Sequence, residues 1–220
     1  MAFLPAGRAW SRRAPRAATL PDVSLDDLLP PDSTAVRNAA EVAEHFQSPA
    51  LRDHCRRSYL WAAAYGRARG IAFDEELLFV TAMLHDLGLV PAFDSVTVPF
   101  EEAGGAVAWV FGAGAGWDAD RRRRASEVVV AHMAAGVDVA VDPEGHLLEL
   151  ATALDVSGRR PEDWPAEFRA EVLARYPRVG FAEQFTGCFQ AQAARKPSSV
   201  AGRLAAGGFA GRARANPLDG

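Results

Sequence analysis

The sequence predicts an all-α domain over residues 34–200. Apolar residues recur at helical spacing through nearly all of that span. Glycines and prolines fall between the periodic segments, and no stretch of useful length alternates as a strand does.

Residues 1–33 read as an N-terminal arm, disordered in part. Its first 20 residues carry Arg8, Arg12, Arg13 and Arg16 without an acid, and Pro21, Pro30 and Pro31 follow. A transit peptide is the lesser reading of that start, and a disordered extension is preferred. The first helix spans 34–46. The second spans 49–69 and stops at Gly70, a natural C-terminal cap. Asp74 caps a third, which runs to about Leu87 and ends at Gly88. A loop at 89–100 with Pro91 and Pro99 leads into an Ala/Gly-rich helix at 101–111 and a glycine loop at 112–116. Helices over 118–135, 145–156, 165–175 and 180–195 complete the domain, and Pro197 closes the last. The C-terminal tail, 201–220, is expected to be loosely packed from residue 207 onward.

Charge narrows the function. The chain has 24 basic and 28 acidic residues, and removing the four arginines of the first 20 positions leaves 20 against 28. A body this acidic is a poor polyanion binder, so nucleic acid is not expected as a partner. Lys196 is the sole lysine, and arginine does not act as a base at neutral pH. Proton transfer therefore falls to carboxylates, histidines, tyrosines or the two cysteines. Cys55 and Cys188 lie far apart and read as buried thiols in a reducing compartment. The longest uncharged run, Ala103–Trp117, is too short and glycine-rich to span a membrane. The expected location is the cytoplasm. The sequence sets no oligomeric state, and a homo-oligomer is compatible with it.

The informative positions are polar residues on apolar faces. His54 lies within the stripe Leu51, Cys55, Ser58, Trp61, Ala62, Tyr65. His85 lines up with Leu78 and Thr81, and Asp86 follows it. His132 shares a face with Ala125, Val128 and Val129, and Asp155 with Leu148 and Ala151. A single such histidine is more often a hydrogen-bonded core residue. A buried carboxylate such as Asp155 needs a cation or several donors, with Arg159 or a helix cap as the plain alternatives. Together, three histidines and two aspartates on four apolar faces are most economically explained by one divalent metal. Imidazole and carboxylate suit zinc first, then iron or manganese.

The order His54, then Met83-Leu84-His85-Asp86-Leu87-Gly88, then Asp155 resembles the H…HD…D signature of the HD-domain metalloprotein superfamily. The segments HCRRSYLWAAAYG, FEEAGGAVAW, VVVAHM, EGHLLELATALDVSG and YPRVGF are similar to its cyanamide hydratase-like branch, over about residues 35–200. The resemblance implies an HD-type helical bundle around a buried metal held by His54, His85, Asp86 and Asp155. It places His132 near the metal, as ligand or proton relay, and makes Asp86 and His132 the candidate catalytic groups. The implied reaction is water addition to a small nitrile-like substrate, cyanamide to urea as the specific case. A nucleotide phosphohydrolase and a non-catalytic metal-bearing domain are the alternatives.

Other signals carry less. His45 and His146 read as solvated. Cys55 beside His54 makes a poor dyad, because adjacent helical residues point about 100° apart. Gly112, Gly114 and Gly116 miss the dinucleotide-binding spacing. Of Arg121–Arg124, one or two should meet acids and the rest face water. Arg56 or Arg57 could hold an anionic substrate if turned towards the metal. For Glu101 and Glu102 a solvated helix start is preferred to pocket lining. Trp61, Phe93 and Trp109 are the expected walls of an apolar pocket.

Overall fold

The computed structural model describes residues 24–219, and among them it holds ten α-helices and no strand. These are α1 (Thr34–Phe46), α2 (Pro49–Arg69), α3 (Glu75–Leu84), α4 (Phe100–Gly114) and α5 (Ala119–Ala131). They continue with α6 (Pro143–Ser157), α7 (Ala166–Arg175), α8 (Phe181–Arg195), α9 (Val200–Ala206) and α10 (Phe209–Arg214). The expected disorder of the first 23 residues lies outside the described ones. No described helix is long and apolar enough to cross a membrane.

Helix starts follow local chemistry. Ser33, Ser48, Asp74, Asp118, Asp142 and Ser199 each accept a backbone N–H of their helix's first turn. Gly70 and Gly158 end α2 and α6 in the left-handed conformation that favours glycine. Helix α2 is the axis of the fold. It packs on α3 and α6 and also touches α1, α7 and α8, so it is buried without interruption from Arg57 to Gly66.

Three glycines set a second close packing. A Cβ on Gly88 would run into the carbonyl of Phe100, and one on Gly104 would sit 2.9 Å from the carbonyl oxygen of His85. Gly105 does the same against Ser126 Oγ, also at 2.9 Å. The glycines of FEEAGG thus let α4 lie against both α5 and the turn after His85.

Four expectations are corrected. The third helix stops at Leu84 rather than Leu87, and residues 87–89 form a 3-10 turn. There the His85 side chain donates to the Ala82 carbonyl at 2.7 Å, satisfying an acceptor that a further turn of helix would have used. Helix α5 likewise ends at Ala131, with His132 as its C-cap donating to the Val129 carbonyl. Gly112 and Gly114 belong to α4, not to a loop. The tail from residue 207 is helical and packed: Phe209 stacks on Phe189 at 4.3 Å, and Arg214 pairs with Glu183 at 2.7 Å. Asn216 Nδ2 donates to the carbonyls of Leu154 and Asp155 at 3.2 and 2.9 Å, capping the end of α6.

Candidate metal centre

Helix α2 supplies His54, the end of α3 supplies His85 and Asp86, and the end of α5 supplies His132, all of them buried. His54 Nε2 and His85 Nε2 are 3.2 Å apart. Asp86 Oδ2 lies 3.2 Å from His85 Nε2 and 3.4 Å from His54 Nε2. These edges match ligand atoms around one ion bonded at about 2.0–2.1 Å. His132 Nε2 lies 3.9 Å from the other oxygen, Asp86 Oδ1.

The protons are fixed by the outer partners. A carbonyl only accepts, so Nδ1 of His85 and of His132 must donate to Ala82 and Val129. His54 Nδ1 donates to the carboxylate of Asp155 at 2.7 Å. With Nδ1 donating outward, all three imidazoles turn Nε2 inward. They meet Asp86, neither of whose buried oxygens has a hydrogen-bond partner among the described residues. Three inward nitrogens and a buried carboxylate facing one point favour a positive charge among them, a bound cation or, without one, a proton on His85. The C-terminal ends of α3 and α5, which carry partial negative charge, add to the preference.

Titration follows the same field. Burial lowers the pKa of His85, but the Asp86 charge beside it prevails and holds it well above the usual histidine value. Burial would raise the pKa of Asp86, and the charge on His85 instead holds it far below the carboxylate range. His132 is pushed down to about 3 by burial, with His85 adding to it, so it is neutral at pH 7.

Asp155 is buried beside this cluster but does not face it. Its Oδ1 accepts from Arg57 Nε at 2.8 Å and from Trp61 Nε1 at 3.0 Å. Its Oδ2 accepts from Arg57 Nη2 at 2.8 Å and from His54. Arg178 Nη1 stands 3.3 Å from Oδ2 and also donates to the Asp155 backbone carbonyl. Of the four expected ligands, His54, His85 and Asp86 form the cluster able to hold a metal, while Asp155 accepts from the outer nitrogen of His54 and orients that ring from behind. Arg159 is not its partner, being paired with Glu149. Phe181 stacks on the His54 ring at 4.7 Å and completes its fixation.

Above the cluster opens a cavity of about 750 Å³. Its walls are mainly apolar, from Met133, Val156, Phe185, Phe189, Leu204 and Phe209, so the C-terminal helices form part of the site. None of the three expected wall residues lines it. Trp61 is spent on Asp155, Phe93 packs on Phe46, and Trp109 lies under Arg122 at the surface. Arg57 is buried against Asp155 and Arg56 pairs with Glu44 and Asp53, so neither reaches the cavity. Glu101 is buried away from it, its pKa raised by burial, and Glu102 is exposed. The buried Cys55 thiol, its pKa also raised by burial, is no nucleophile. Arg121, Arg123 and Arg124 all pair with acids and Arg122 covers Trp109, which leaves no basic patch there. His45 is exposed, and His146 donates to the Val137 carbonyl.

The residues sequence reasoning missed are the partners of Asp155 and the α8–α10 wall. Arg57, three positions from His54 on a helix otherwise lined with core residues, was the available signal for the first.

No protein-family model matches the chain. Two Saccharomyces cerevisiae proteins, cyanamide hydratase DDI2 and cyanamide hydratase DDI3, are each 25% identical to it. Each likeness runs over 173 residues, 76% of this chain and 76% of the yeast protein. The chain is a distant relative of these hydratases.

Proposed function

We propose that this protein is a metal-dependent hydratase of the HD type, adding water across the C≡N bond of a small nitrile-like molecule. Cyanamide to urea is the simplest case of that reaction and the one to assay first. The observation that carries the reading is the inward convergence of three imidazole Nε2 atoms and the unpartnered Asp86 carboxylate at a mainly apolar cavity. The distant likeness to the yeast hydratases supports it.

His54, His85 and Asp86 would hold the ion, and their mixed nitrogen and oxygen set suits zinc, iron or manganese. A divalent ion there supplies hydroxide at neutral pH by lowering the pKa of water to about 7. The chain's residues do the rest. Asp155 keeps His54 in the tautomer that offers Nε2 inward. The phenylalanines exclude bulk water, which strengthens each charge interaction at the cavity floor. Addition forms a C–O bond, opens one π bond of the nitrile and moves one proton from water to its nitrogen. A second proton transfer from oxygen to nitrogen yields the amide, urea in the case of cyanamide. His132, neutral with a free Nε2, and Asp86 Oδ1 are the groups placed to carry those protons.

The test is metal content of protein purified without chelator, with urea measured from cyanamide and phosphate from nucleotides. Wild type should bind metal and form urea, and His85→Ala should do neither. Phosphate release without urea would transfer the site to the phosphohydrolase reading. Metal without either product would leave a binding domain. A His132→Ala protein that keeps its metal but loses turnover identifies a relay, and one that loses the metal identifies a ligand.

A further inference from the structure

We infer that the cavity takes a larger substrate than cyanamide, one whose body ends in an oxyanion, carboxylate or phosphate, held by Arg203 and Arg212. The inference rests on the hydratase reading for the reacting end of the molecule, while the anion subsite stands on its own observations.

Size is the first observation. The cavity, about 750 Å³, falls within the range that encloses drug-sized ligands, whereas cyanamide has only three non-hydrogen atoms. The aromatic wall of Phe185, Phe189 and Phe209 has nothing to grip on so small and polar a molecule. An apolar body between the metal cluster and the rim would fill that space.

Charge is the second. Arg159, Arg203 and Arg212 come from three separate segments and line this one cavity. Arg159 is paired with Glu149, the cavity's other acid besides Asp86. Arg203 and Arg212 make no ion pair among the described residues. Each donates from Nη1 only to a backbone carbonyl nearby in sequence, Ser198 and Gly207 respectively, both at 2.6 Å. Most of the other arginines around the site are committed: Arg57 and Arg178 to Asp155, Arg214 to Glu183. Two guanidinium forks without carboxylates, on the wall that α9 and α10 contribute, suit planar or tetrahedral oxyanions.

Placement of α9 is itself specified. A Cβ on Gly202 would collide with the carbonyls of Lys196 and Pro197, so glycine there lets α9 fold tightly against the end of α8, and Arg203 and Leu204 follow it on the cavity wall.

Calorimetric binding to the metal-replete full-length chain tests the subsite with three probes of like shape: 4-cyanobenzoate, 4-cyanophenylphosphonate and neutral 4-cyanobenzamide. At least one anion should bind about 10–100-fold more tightly than the amide, as charge-assisted hydrogen bonds of this kind provide. The tighter anion names the oxyanion. The Arg203→Gln/Arg212→Gln protein, with thermal unfolding as its folding control, should lose that preference. Equal affinity for all three probes, no binding of either anion, or a preference that survives in the double variant overturns the proposal. A preference that reports on the metal alone would survive in that variant. Selective anion binding by a protein that hydrates neither cyanamide nor the nitrile of the bound probe sinks the hydratase reading and leaves the subsite. Urea formation with unselective binding does the reverse.

Discussion

On one side of the His54 ring, Asp155 accepts from Arg57, Trp61 and His54; on the other, Asp86 has no hydrogen-bond partner among the described residues. Both carboxylates are wholly buried, and both are held in the charged form. The difference separates two uses of a buried anion. Asp155 has its compensation built into the chain and serves as a fixed post for His54. Asp86 has its oxygens turned toward the Nε2 atoms of His54 and His85, the arrangement that a cation completes. The same contrast divides the fold, since the Asp155 side is tied down by Arg178, Asn216 and Asp219, while the Asp86 side faces the cavity.

The sharpest way to break this comparison is to neutralise each aspartate in turn. Asp86→Asn should abolish metal binding and bring urea formation to background. Saturating metal should raise the unfolding temperature of wild type and leave that of Asp86→Asn unchanged, since only the intact cluster gains from binding the ion. An equal rise in both proteins would show that Asp86 does not hold the ion. Asp155→Ala should instead act on the fold itself, stranding the buried Arg57 and costing about 3–5 kcal/mol in denaturant unfolding. Metal affinity should also weaken, by about 10–100-fold, as the His54 ring loses its support. Equal stability in that variant would contradict the role assigned to Asp155.

Smaller changes sharpen the picture. Asn216→Ala removes one donor from each of the Leu154 and Asp155 carbonyls, which keep the Gly158 N–H and Arg178, and should cost about 0.5–1.5 kcal/mol. Its metal content at saturating ion should be unchanged, which separates support of the helix from support of the ligand. Acid provides the mildest probe. Burial favours a raised pKa for Asp155, but Arg57 first and His54 next hold it well below the ordinary carboxylate value. The stability it contributes is therefore full above the unfolded pKa of about 3.9 and is lost as pH falls below that towards the folded pKa. Unfolding measured between neutral pH and pH 3 should show a weaker acid dependence in Asp155→Asn than in wild type.

Much of this was legible in the sequence because it is short-range. Helical periodicity, the serine and aspartate caps, and Gly70 gave the all-α class and most helix starts, since each depends on residues within a turn of one another. The same periodicity placed His54, His85, His132 and Asp155 on buried faces. Tertiary structure alone decided which aspartate faces the cluster. Arg57 and Trp61 are 98 and 94 positions from Asp155, and no local rule says that their donors will fill its lone pairs. Nor could composition foresee that the glycine-rich tail folds back as the cavity's wall. Its order comes from Phe209 on Phe189 and Asn216 on the end of α6, contacts that exist only once the helices have packed.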